Sequence, residues 1–111
     1  AHAVPAGPVV FVPLDSFVVN LQPEEGDAYL QIGVTLQVAG AEQEEAIKQN
    51  MPKVRSRILM LLSGKRKSEI ATIEGKQQLT KEIMASLKQP FEPKGTPNQI
   101  TEVLFTSFVI Q

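Results

Sequence analysis

The chain of 111 residues has no cysteine and no tryptophan, one histidine and one tyrosine. Each shortage excludes some chemistry. Without cysteine there is no disulfide, no thiolate nucleophile and no Cys-ligated zinc, haem or iron–sulfur site. The lack of cysteine suits an oxidising compartment and a reducing one equally. The single histidine, His2, lies in a short N-terminal stretch, so Ser63 and Ser107 have no imidazole base in the folded part of the chain. Long apolar runs are missing too. Stretches such as Ile58 to Leu62 fall far short of the ~20 apolar residues of a spanning helix. No charged segment followed by an apolar one marks a secretory signal. Neither charge sign dominates: 11 Lys and Arg against 12 Asp and Glu leave a net charge of −1. That balance removes the electrostatic footprint of non-specific nucleic-acid binding. So few catalytic side chains argue against an enzyme, and no cofactor is expected.

What remains is an ordinary globular mixture, with 42% hydrophobic and 21% charged residues. The length suits one domain with a single core. Residues 1–12, rich in Ala, Gly and Pro, are expected to form a flexible tether. Residues 13–111 form the domain. Leu14 to Leu21 alternates as a strand behind Pro13, and Pro23 to Asp27 carries the chemistry of a hairpin loop. In Tyr29 to Val38 the residues Leu30, Ile32, Val34, Leu36 and Val38 share one face, as in a half-buried antiparallel sheet.

The period then becomes helical. Ile47, Met51, Val54, Ile58 and Leu61 form one apolar stripe. Pro52 interrupts it, so either a kink there, or a short helix ending near Asn50 and a second one starting at Pro52, is expected. Ser68 or Thr72 can cap a further helix whose stripe is Ile73, Leu79, Ile83 and Leu87. Pro90 to Asn98 is a loop. Ile100 to Gln111 reads as a strand apolar on both faces, which is normally central or covered by a partner. The fold class is α+β: a small three-stranded sheet in the order ββααβ, with two main helices on one face.

Candidate sites are few. Gly64-Lys65-Arg66-Lys67 sits where RNA-binding KH domains carry a Gly-x-x-Gly loop, but the second glycine and any aromatic stacking platform are missing. A small nucleic-acid-binding module using this loop is therefore the alternative function. A solvated loop or protein contact is the plainer reading. Glu24, Glu25 and Asp27 form a solvated hairpin tip rather than a calcium loop, which needs 6–8 oxygen ligands. No metal site is expected. Met51, Met60 and Met84 read as core filler.

Several stretches in order carry a resemblance. They are Pro13-Leu14-Asp15-Ser16-Phe17-Val18-Val19-Asn20-Leu21, Tyr29 to Leu36, Met51-Pro52-Lys53-Val54-Arg55-Ser56-Arg57-Ile58-Leu59, Glu74-Gly75-Lys76 with Leu79, and Val103 to Gln111. Together they resemble the FliL family of flagellar basal-body-associated proteins over residues 13–111. The resemblance implies a single-span inner-membrane protein whose periplasmic domain is similar to the SPFH domain of stomatin-like proteins. It implies a non-enzymatic adaptor of the flagellar motor, associated with the basal body. The domain would assemble as a homo-oligomeric ring around the MotA–MotB stator and support it in motility. The transmembrane helix that the family carries before this domain is absent here, as expected if the tether once followed it.

Charge order suggests where copies would meet. Residues 24–45 carry Glu24, Glu25, Asp27, Glu42, Glu44 and Glu45 with no basic residue. Residues 46–67 carry Lys48, Lys53, Arg55, Arg57, Lys65, Arg66 and Lys67 with no acidic one. Helix-dipole complementation accounts for part of this. The remainder predicts an acidic and a basic pole on opposite sides, suited to head-to-tail contacts that close into rings. The candidate subunit or partner interface is thus Glu24, Glu25, Asp27, Glu42, Glu44, Glu45, Lys53, Arg55, Arg57, Lys65, Arg66 and Lys67.

Overall fold

The computed structural model describes residues 8–111. Its axis is β3 (Tyr29–Val38). The even-numbered residues of β3, Leu30 to Val38, are at most 1% exposed and form the centre of the core. Hydrogen bonds alternate with the side chains. On one edge Leu14 N–H donates to the Val34 carbonyl at 3.0 Å and Leu21 N–H to the Ala28 carbonyl at 2.9 Å. On the other edge Tyr29 and Gln111 exchange bonds of 2.7 and 2.8 Å. Even positions of β3 therefore hydrogen-bond toward β1 (Val10–Pro13) and β2 (Phe17–Asn20), which share one edge, and odd positions hydrogen-bond toward β4 (Ile100–Ile110). All pairings are antiparallel, so four strands lie in three ranks.

The expected three-stranded ββααβ order is corrected here, because the sheet has a fourth strand. β1 covers residues 10–12 of the stretch assigned to the tether. Its three apolar residues, Val10 to Val12, are too few to show alternation, and only pairing with Leu36 to Val38 makes them a strand. Residues 1–7 lie outside the described residues. β1 and β2 are one strand interrupted at Asp15 and Ser16, opposite Gly33.

β4 slips at the same place. Gly33 pairs with Ser107 and Val34 with Phe105, leaving Thr106 as an extra residue. A second slip between Gln37 and Val38 leaves Thr101 extra. Each bulge inverts the alternation. Ile100, Val103, Phe105, Phe108 and Ile110 consequently all pair with even, core-facing residues of β3. This corrects the reading of β4 as apolar on two faces. The strand is an edge strand with one core face, bent twice. A Cβ on Gly33 would lie 2.5 Å from the Thr106 Oγ1 and 2.8 Å from the Ser107 Oγ, so a side chain there would require both hydroxyls to turn away.

The helices cover the even face of β3. α1 (Ala41–Gln49) and α2 (Met51–Ser63) are separated at Asn50, as Pro52 predicts. Pro52 lies in the first turn of α2, where a missing N–H costs nothing. Ile47, Val54, Ile58 and Leu62 are fully buried from this pair. A short turn, α3 (Lys67–Ile70), precedes α4 (Ile73–Lys88), whose Leu79, Ile83 and Leu87 are buried. Thr72 caps α4 by accepting from Gly75 N–H at 2.9 Å. Ile73, expected in the apolar stripe, is 71% exposed. Six residues before Leu79 is ~240° around the helix, off the stripe. Buried Ile70 from α3 fills the core beside α4 instead. Among the described residues no helix is long and apolar enough to cross a membrane.

Candidate functional site

The cations of α2 are turned inward to backbone carbonyls. Arg55 donates to the carbonyls of Asp15 at 2.7 Å and Ser16 at 3.3 Å, and its guanidinium stacks 4.0 Å from the Phe17 ring centroid. It thereby pins the corner between β1 and β2. Arg57 donates to the carbonyls of Ser86 at 3.0 Å, Gln89 at 2.7 Å and Pro90 at 2.9 Å. These lie at the C-terminal end of α4, where carbonyls lack helical partners and a cation is favoured. Lys53 reaches the Phe91 carbonyl at 2.8 Å and the Glu92 carboxylate at 2.9 Å. Three residues offered by the sequence as interface candidates thus tie elements of one chain together.

The basic loop is similarly engaged. Lys65 Nζ lies 2.6 Å from Glu82 Oε1, with the side chains only 19% and 29% exposed. The Lys65 ammonium, followed by Gln78, holds the Glu82 carboxyl below its ordinary value of 4.5. Gln22 N–H donates to the Lys65 carbonyl at 2.8 Å, and its side-chain amide to the Ser63 carbonyl at 2.9 Å. Glu24 accepts from the Ser68 hydroxyl at 2.7 Å and from Ser68 N–H at 3.1 Å. Those bonds, the hydroxyl first, lower its pKa. Glu69 accepts from Arg66 N–H at 2.7 Å.

This geometry corrects the expectation of fully opposed poles. The acidic hairpin tip and the basic loop are neighbours, because Gln22 and Glu24 bind the 63–68 segment directly. Only Glu42, Glu44 and Glu45 on α1 stand at the other end, beyond Val38. There Glu44 pairs with Lys48 at 3.0 Å and Glu45 accepts from Gln49 at 3.1 Å. Glu25 and Asp27 are exposed in the hairpin loop. Arg66 and Lys67 remain exposed, but carboxylates flank them. The loop is therefore not the isolated cationic clamp that a nucleic-acid module would present. Among the described residues no group of three or more His, Asp or Glu side chains could hold a metal ion.

Sequence reasoning missed two organising features. Asn98, 9% exposed, donates to the carbonyls of Leu87 at 2.8 Å and Gln89 at 3.0 Å, and accepts from Gln43 at 3.3 Å. Gln43 Oε1 in turn accepts from Gln99 N–H at 2.7 Å, docking α1 onto the start of β4. Nothing in the local sequence signals this long-range pair. Gly75 did leave a signal, since a glycine in a helix costs ~1 kcal/mol against alanine and asks for a reason. The reason is that a Cβ there would overlap the Glu69 carbonyl oxygen.

Comparison with known proteins places this architecture. The family model described as flagellar basal body-associated protein FliL matches residues 11–111. The flagellar protein FliL of Escherichia coli K12 is 36% identical over 102 residues, covering 92% of this chain and 65% of that protein. The one from Aquifex aeolicus is 35% identical over 95 residues, covering 86% of this chain and 56% of that protein. The chain thus spans somewhat under two thirds of the length of these relatives. The match begins one residue into β1 and ends on the last residue of the chain, so it takes in every helix and all of the sheet but Val10. The chain belongs to the family of flagellar basal-body-associated proteins named FliL.

Proposed function

We propose that this domain is a non-enzymatic adaptor of the flagellar motor, held in the periplasm by a single N-terminal membrane helix outside this sequence. It assembles with further copies into a ring around the MotA–MotB stator and supports the stator at the basal body. Its fold is of the stomatin or SPFH kind. Family membership across the sheet and all helices is the observation that carries this reading. The local geometry supports it, since Arg55, Arg57 and Lys53 are spent on rigidity and leave a stiff body suited to contacts rather than chemistry. The groups available for contacts between copies are Glu42, Glu44 and Glu45 at one end and Arg66 and Lys67 at the other. Single exposed pairs contribute only ~0–1 kcal/mol, so the membrane anchor must supply local concentration.

The test uses the full-length protein in its membrane. Arg66→Glu with Lys67→Glu should abolish cross-linked multimers and weaken motility. Lys65 is left intact because its loss would break the internal pair with Glu82. A photo-activated cross-linker at exposed Glu42 should capture a second copy in the wild type and not in the variant. Undiminished multimers in the variant would remove these cations from the interface. Absence of any MotB adduct from a panel of surface cross-linkers would remove the stator.

A further inference from the structure

Three sheet edges face solvent, and two of them are blunted against added strands. β1 turns Pro13 outward, at a non-bonded pairing with Thr35, and proline has no N–H to offer. β4 is broken by the bulges at Thr101 and Thr106. β2 has neither device. Its register with β3 is continuous, and the Leu21–Ala28 bond makes Phe17, Val19 and Leu21 the inward-bonding positions. By alternation, the N–H and C=O groups of Val18 and Asn20 point outward.

Both ends of this open stretch are already held. The Ser16 carbonyl is taken by Arg55, and Gln22 forms a parallel bridge with Arg66. The second contact demonstrates that a chain can lie along this edge. Beside the stretch, Ser16, Phe17, Val18, Pro52, Arg55, Ser56 and Leu59 line a groove of about 400 Å³ between β2 and α2. Val18 is 66% exposed, Leu59 44% and neighbouring Met60 72%. No acidic residue occurs between positions 46 and 67, and exposed Arg66 and Lys67 stand where the stretch ends.

We propose that the β2 edge and the groove along α2 bind a short extended segment of another protein by strand addition. The segment carries aliphatic residues opposite Leu59 and Met60 and an acidic residue next to Arg66 and Lys67. Backbone bonds to Val18 and Asn20 supply the grip, and the apolar and charged contacts supply selectivity. The inference does not depend on the domain's place at the stator, and the segment and a neighbouring copy would compete for Arg66 and Lys67.

The experiment is an NMR titration of the 111-residue chain with the acetylated and amidated peptide Val-Thr-Val-Thr-Asp-Asp. Amide shifts are expected at Val18 and Asn20 and along the exposed side of α2, with binding that weakens as salt is raised. Val18→Pro removes an outward N–H without touching the ladder to β3, and should weaken binding by about tenfold or more. Leu59→Glu, on the exposed side of α2, is expected to weaken it too and keeps the test valid if the proline variant unfolds. An Ala-Pro-Ala-Pro peptide with the same acidic end should leave β2 unshifted. Absence of shifts at millimolar peptide would overturn the proposal. So would shifts centred on β4 or on the outer sheet face around Phe11 and Tyr29. Shifts at Val18 that depend on protein concentration without peptide would assign the edge to a second copy instead.

Discussion

Gly75 stands in the first turn of α4, where propensity alone would have alanine stabilise the helix by ~1 kcal/mol. Here the sign reverses. The overlap of a Cβ with the Glu69 carbonyl involves backbone rather than the end of a flexible side chain. Gly75→Ala is expected to destabilise by ~1–3 kcal/mol, the range of overpacked sites, in urea unfolding. A stabilised variant would show that α3 does not press on α4. The Lys65–Glu82 pair gives a pH dependence of definite sign. The folded pKa of Glu82 is below 4.5, so the folded state binds fewer protons than the unfolded state under acid. The pair's contribution is complete above that value and is lost as pH falls through the lower folded pKa. Glu82→Gln should lower the melting temperature near neutral pH and have a shrinking effect as the pH falls through the lowered folded pKa, where the wild-type carboxyl also becomes neutral. An equal loss at all pH values would mean the carboxylate charge contributes nothing.

At the scale of elements, the strand and helix periods were readable wherever an element kept one period throughout. β3 showed its core face completely, and Pro52 marked the break between α1 and α2. β4 was misread because two extra residues change its parity, and threonine is an ordinary strand residue that marks no bulge. β1 was hidden by brevity. The twelve candidate charges were legible as a pattern, but not their use, because Arg57 finds its carbonyls about thirty residues away and Gln43 finds Asn98 across 55. The bulge also makes a prediction. Thr106→Ala replaces an exposed side chain and should change stability by ~0.5 kcal/mol or less. Deleting Thr106 would place Phe105 next to Ser107, opposite Val34 and Gly33 in an unbroken ladder, so Val103 and Phe105 stay on the core face and the cooperative thermal transition should be kept. A deletion variant with no cooperative transition would place the register slip elsewhere.

The whole molecule is elongated, with extents of 48 × 27 × 23 Å and a radius of gyration of 14.7 Å. A compact chain of this length would have a radius of ~13 Å. The long sheet sets this shape and also sets where the chain enters and leaves. β1 begins opposite Val38, while Gln111 is bonded to Tyr29 at the other end of β3. A pull applied at the start of β1 and at Gln111 would therefore act along the strands. Interstrand bonds run across that direction, so such a pull shears the rungs of the sheet together instead of opening them one after another. Loaded at its two ends, the domain would behave as a stiff strut, yielding only when a complete row of hydrogen bonds fails at once.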